Sequence, residues 1–251
     1  MNHYILEEQD GILLFTINRP EKRNAISYDI MDGLEEALTY ANNENIKILA
    51  ITGSGDRAFC SGGDLSVFHR LRTEEEAYEM LSRMSNLLVK LLLFPKPTAA
   101  LINGTAVGGG CELASACDFR IAKKDIKAGF IQGSLAITTG WGGGTFLYEK
   151  LLPAHAMKML MEAGLFDTNQ LMELGFLQSI ADGDLLAHAR KYFNKMLSIE
   201  TDVLRAYKTM ITNKWNETRI KERVQEEVRN CAKLWEGDPH HRKVAEFLEK
   251  K

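Results

Sequence analysis

Apolar positions along the chain fall into two kinds of run. Residues 12–17 (ILLFTI) and 46–52 (IKILAIT) read as buried strands, and 98–103 (TAALIN) and 118–122 (DFRIA) as a third and a fourth strand. Between them the apolar residues recur at helical spacing. Ile30, Met31, Leu34, Leu38 and Ala41 form one such face, with Ser27 expected to cap the helix and Asp29 near its positive end. Met80, Leu81, Met84, Leu87, Leu88, Leu91 and Leu92 form another, in a helix spanning 74–92 that Pro95 and Pro97 stop. A further helix is expected to start within the glycines at 108–110. Strands alternating with helices predict an α/β fold with parallel pairing. After about residue 150 the strand signals fade. Helices are expected over 154–163, 168–175, 184–197, 203–213, 217–235 and 240–250. The expected division is a core over 1–195 and a helical extension over 196–251.

Three glycine-rich turns punctuate this pattern: AFCSGGDL at 58–65, INGTAVGGGCEL at 102–113 and GWGGGT at 140–145. Each is expected to follow a strand and precede a helix. Glycine lets backbone approach a ligand closely, and loops at the carboxyl ends of strands are where α/β sheets bind ligands. One such turn is an ordinary tight turn. Three together, with Glu112 just inside a helix start, point to a site.

Composition narrows the chemistry. The 251 residues suffice for one large domain, with 45% hydrophobic and 26% charged residues, as in ordinary globular proteins. A net charge of −3 offers no general attraction for nucleic acid or anionic membrane. Cys60, Cys111, Cys117 and Cys231 form no CxxC pair. The apolar stretch 91–117 is broken by prolines and glycines and does not read as a membrane span. The amino terminus carries acidic residues early and no signal-like apolar run, so a cytoplasmic protein is expected. There is no GxGxxG after the first strand and no GxxxxGK[ST]. Phe59 stands where a GxSxG elbow around Ser61 would need glycine. The adjacent His240 and His241 lack metal-ligand spacing.

The segments NRPEKRNA, AFCSGGDL, PKPTAALINGTAVGGGCELASACDFRIA and AEFLEKK resemble the crotonase (enoyl-CoA hydratase/isomerase) superfamily, in its order and over nearly the whole chain. The resemblance implies a spiral of ββα turns with C-terminal helices that assemble a homotrimer or a dimer of trimers. It implies an acyl-CoA substrate and no cofactor beyond that coenzyme A. It also implies an oxyanion hole from the N–H groups of Gly63 and Gly109. Such donors are worth about 2.7–4 kcal/mol of barrier each. Coenzyme A contacts would then fall on Lys22, Arg23, Ala25, Ser61, Gly62, Asp64 and Leu65, and on Phe247 and Lys250 of the terminal helix. Glu112 matches the first of the family's two catalytic glutamates. The second, counted back from Gly143, Gly144 and Thr145, falls on Gly133, and no Asp or Glu lies between Ile126 and Tyr148. Trp141, just before the glycine run, resembles the superfamily's decarboxylases of alkylmalonyl-CoA. Phe68, Leu71, Ile131, Leu135 and Trp141 are expected to line the acyl pocket. Three readings stand: a hydratase or isomerase with Glu112 as its single retained carboxylate, a decarboxylase of methylmalonyl- or ethylmalonyl-type thioesters, and a weakly catalytic CoA-binding protein. Some members of the family bind RNA, but the first helix here (YDIMDGLEEALTYANNE) carries only acidic charges.

Overall fold

The computed structural model describes residues 2–249, at Phe247 and Leu248 as backbone only. Two sheets organise the first two thirds of the chain. The larger holds β1 (Tyr4–Gln9), β2 (Ile12–Ile17), β3 (Ile48–Gly53), β5 (Thr98–Ile102), β7 (Phe119–Lys123) and β10 (Ser179–Ala181), side by side in that order. All pair in parallel except β1, which pairs antiparallel with β2 at the edge. The smaller holds β4 (Ala58–Cys60), β6 (Thr105–Val107), β8 (Lys127–Gly129) and β9 (Phe166–Asp167), with only β9 antiparallel. Each turn of the spiral lays one long strand in the first sheet and one short strand in the second: β3 then β4, β5 then β6, β7 then β8.

The continuous apolar runs have a simple cause, because both faces of the large sheet are covered. In β3, Leu49 and Ile51 enter the main core, while Ile48 and Ala50 face the opposite way. On that opposite face α8 (Leu185–Leu197) lays Leu185, Ala189 and Phe193 over the sheet. The main core is built with α1 (Tyr28–Tyr40), α3 (Glu74–Leu92) and α4 (Gly109–Ala116). Between these elements lie α2 (Leu65–Phe68), α5 (Gly143–Lys150), α6 (Pro153–Met161) and α7 (Thr168–Glu173). The chain ends in α9 (Thr201–Glu217), α10 (Ile220–Glu236) and α11 (Asp238–Glu249). The buried face of α10, with Val224, Val228, Cys231 and Trp235, joins the main core and packs against α3.

Several expectations need correcting. Ser27 stands at the N-cap of α1, but its side chain makes no cap bond and its hydroxyl is buried without a partner. Strand structure does not end at residue 150, since β9 and β10 follow. The third glycine turn follows a 3-10 turn over Ile131–Leu135, not a strand.

Candidate active site

The first two glycine turns lie side by side. The first leaves β4 and enters α2; the second leaves β6 and enters α4. Because β4 and β6 pair in parallel, both turns emerge at the same sheet end. Gly62, at φ +89, takes a conformation open to glycine, and a side chain there would start 3.2 Å from the Gly109 nitrogen. Among the described residues, no acceptor takes the N–H of Gly63 or of Gly109. Gly109 is the first residue of α4, so the positive end of that helix lies at the same point. Two free donors at a helix start, with both glycines only half-buried, suit a developing oxyanion.

Trp141 closes this corner. It is buried, with 4% of its surface exposed. A methyl group on Gly109 would collide with its six-membered ring, and one on Gly63 would lie 3.5 Å from its Cζ2 and 3.0 Å from Phe68 Cδ2. The indole therefore rests against both glycines, with Phe68 behind Gly63.

Glu112, on the first turn of α4, is buried and heavily solvated by N–H groups. Its Oε2 accepts from the backbone of Trp141 at 2.8 Å and Gly143 at 2.9 Å. Its Oε1 accepts from Gln132 Nε2 at 2.9 Å and, more weakly, from the Gly140 N–H at 3.4 Å. Burial above all, and then the charge of Glu227, pushes the Glu112 carboxyl up to about 7, against the downward pull of the Gly143, Trp141 and Gly140 amides. Gln132 Oε1 is itself buried without a partner.

Glu227 of α10 is a member of this cluster that the sequence reading missed. It accepts from the N–H of Gly144 at 3.1 Å and Thr145 at 2.7 Å, and from the Thr145 hydroxyl at 2.6 Å. Burial raises its carboxyl above the usual range. Nothing in its local sequence marks it, because its partners lie more than eighty residues earlier. Gln132 was missed for a different reason. It adjoins Gly133, the position counted as the second glutamate, and it is Gln132 that faces Glu112. Gly133 is exposed, and a side chain there would start 3.0 Å from Ala163 Cβ.

The residues expected to meet coenzyme A divide into two groups. Lys22 and Arg23 are exposed, and Ser61 and Leu65 are half-buried beside them. The Ser61 N–H donates to the Arg23 carbonyl at 3.1 Å, which ties the 22–25 turn to the first glycine loop. Ala25 is buried, its N–H donating to the Lys22 carbonyl and its carbonyl accepting from Arg19 Nη1 at 2.7 Å. The Asp64 side chain is also committed within the fold. Its Oδ2 pairs with Arg19 Nη2 at 2.7 Å, and its Oδ1 caps α2 through the Ser66 N–H at 3.0 Å. Burial alone would raise Asp64, but the bonds from Ser66 and Arg19 outweigh it and hold the carboxyl low. Arg19 was not anticipated as the brace of this turn. Of the expected pocket wall, Leu71 and Leu135 are half-buried, and their carbonyls accept from Trp235 Nε1 at 2.9 Å and from His240 Nδ1 at 2.8 Å. Ile131 Cγ1 would lie 3.9 Å from a side chain on Gly108. The Phe247 side chain and Lys250 lie outside the described residues. No group of three or more His, Cys, Asp or Glu among the described residues is placed to hold a metal ion.

The chain as a whole resembles known proteins. The family model for enoyl-CoA hydratase/isomerase matches residues 7–251. The chain belongs to that family. It is similar to the crotonyl-CoA hydratase of Syntrophomonas wolfei, at 33% identity over 196 residues, 77% of this chain and 75% of that protein. It is similar also to the ethylmalonyl-CoA decarboxylase of Xenopus laevis, at 31% over 235 residues, 92% of this chain and 78% of that protein. Among solved structures, the enoyl-CoA hydratase from Bacillus halodurans superposes with a TM-score of 0.87 at 25% identity, covering 97% of this chain and 99% of that one. This crotonase-superfamily member therefore shares its α/β spiral and helical C-terminal region with an enoyl-CoA hydratase of solved structure, and has sequence relatives named for more than one reaction.

Proposed function

We propose that this family member decarboxylates an alkylmalonyl-type CoA thioester through an enolate held by the N–H groups of Gly63 and Gly109. The observation that carries the reading is the state of Glu112. Both its oxygens are taken by N–H donors, and the side chain that faces it is the amide of Gln132, not a second carboxylate that could hold and deprotonate a water. Hydration needs that water activated, whereas decarboxylation needs a place for negative charge.

In the proposed reaction the bond between the α-carbon and the carboxylate carbon breaks. Its electron pair moves into the thioester, giving the enolate oxygen its charge and releasing carbon dioxide. The α-carbon then takes a proton, a role we assign to the neutral acid of Glu112, on the first turn of the helix that Gly109 opens and raised to about 7. Gln132 suits both states of that acid. Its NH2 donates to the ionised form as seen here, and its free Oε1, after an amide flip, can accept from the protonated form. Trp141 supplies an apolar face beside the reacting carbon. There a carboxylate is poorly solvated and carbon dioxide is not. The likeness to ethylmalonyl-CoA decarboxylase along 92% of the chain supports this choice.

The second reading is hydration of a 2-enoyl-CoA, favoured by the 33% identity to the crotonyl-CoA hydratase. Incubation with methylmalonyl-, ethylmalonyl-, crotonyl- and 3-enoyl-CoA, followed by mass analysis of the products, separates the two. Loss of carbon dioxide from the malonyl-type thioesters with negligible water addition is expected. Rapid hydration of crotonyl-CoA without decarboxylation would overturn the proposal in favour of the second reading. No turnover of any thioester, with coenzyme A still bound, would make the protein a binding module.

A further inference from the structure

The third glycine loop has a capping problem. Helix α5 opens on Gly142 and Gly143, which have no side chains to satisfy its first N–H groups. Those groups are taken by carboxylates from two other helices. Glu112 of α4 takes Trp141 and Gly143. Glu227 of α10 takes Gly144 and Thr145, with the Thr145 hydroxyl as a third bond. One turn along α10, the Cys231 thiol reaches the Thr138 carbonyl at 3.2 Å. Residues 227 and 231 share a helix face, so α10 grips the loop at both ends, with Trp141 between the grips. The fit is close: a methyl group on Gly144 would lie 2.8 Å from Thr139 Oγ1 and 3.4 Å from Glu227 Oε2.

We infer that Glu227 is a positioning residue for the reaction: from α10 it fixes the loop that holds Trp141 against Gly63 and Gly109. The inference rests on the reading above that this corner receives the acyl group. Glu227 touches no reacting atom in this account. It acts through the loop, and displacement of a reacting geometry by about 1 Å can cost on the order of 10²-fold in rate.

The test compares wild type with Glu227→Ala, Glu227→Gln and, as a control, exposed Glu226→Ala on the same helix. Each is assayed on whichever thioester the wild type turns over, so a wrong choice of reaction does not obscure the result. Coenzyme A affinity and the NMR signal of the Trp141 indole N–H, assigned with Trp141→Phe, are measured alongside. Glu227→Ala is expected to lower kcat by about 10²-fold, leave coenzyme A affinity unchanged and shift or broaden the indole signal. Glu227→Gln, which keeps the shape and one acceptor, should recover part of the rate, and Glu226→Ala should match wild type. A folded Glu227→Ala with wild-type kcat and an unmoved indole signal overturns the inference. If Glu227→Ala does not fold, Glu227→Gln decides by the same two readouts. If the wild type turns over no thioester, the proposed reaction falls, and the indole signal alone decides the role of Glu227.

Discussion

At Glu112 two demands meet in one side chain. Ionised, it accepts from the amides that hold the third glycine loop. Neutral, it can give a proton to an enolate. A carboxyl raised to about 7 lies between these states at ordinary pH. If the acid form acts, kcat for decarboxylation should be high at pH 6 and fall as pH rises through about 7, and Glu112→Gln should lose both the rate and this limb. A profile that instead falls towards low pH would assign Glu112 a base role. The same shift has a sign in stability. The folded value lies above the unfolded one, so the stabilisation from binding that proton is complete below about 4.5 and is lost as pH rises through about 7. The drop in Tm between pH 6 and pH 8 should therefore be smaller in Glu112→Gln than in wild type. Position 133 gives a second residue-scale test. Gly133 is exposed and does not need positive φ, so Gly133→Glu should fold with stability within about 1 kcal/mol of wild type. It should not raise hydration, because Gln132 is the residue that faces Glu112; Gln132→Glu is the variant expected to add a working second carboxylate. Increased crotonyl-CoA hydration in Gly133→Glu and not in Gln132→Glu would reverse that assignment. Sequence counting came within one residue of this position. It went no further because a 3-10 turn ending in left-handed Ala136 (φ 58) has no period from which to read facing.

Among the elements, those with a long period were legible and those without were not. The two-sided burial of β2, β3 and β5 writes itself as nearly unbroken apolar runs, and α3 runs over Glu74–Leu92 as its spacing predicts. By contrast β4, β6 and β8 have three residues each and β9 has two, too few to display alternation. β1 (YILEEQ) is an edge strand whose second half, EEQ, is polar and exposed, which masks it. The pairing of Arg19 with Asp64 was illegible for a related reason, since the partners lie 45 residues apart. That pair joins the turn at 19–25 to the start of α2. Breaking a buried ion pair from one side leaves an uncompensated charge and costs about 3–5 kcal/mol. Asp64→Ala, which also removes the α2 cap, should lower the urea midpoint accordingly and weaken coenzyme A binding by loosening the 61–64 loop. A midpoint equal to wild type would show that the pair contributes little.

For the whole molecule the open question is how many chains act together. The main core accounts for the inward faces of the C-terminal helices but leaves apolar faces outside. On α9, Val203, Tyr207 and Met210 recur at helical spacing, and Tyr207 and Met210 are 68% and 71% exposed. On and beside α6, Leu152, Met157, Met161 and Leu165 are exposed as well. Single exposed apolar residues are ordinary, but stripes of them mark surfaces that a partner covers. Each large side chain so covered contributes about 1.5–3 kcal/mol, enough in sum to assemble chains at micromolar concentration. The sequence pattern foretold these helices through their buried faces alone; the resemblance to the crotonase superfamily is what points to a trimer or a dimer of trimers. Light scattering should therefore give a mass three or six times 28.2 kDa. Met157→Glu combined with Met161→Glu should shift that mass downwards, because two carboxylates would have to be buried at the contact. The chain itself should stay folded, since both positions face solvent within one copy. A wild-type mass of 28.2 kDa at micromolar concentration would mean that one copy carries the whole site and that these stripes serve another purpose.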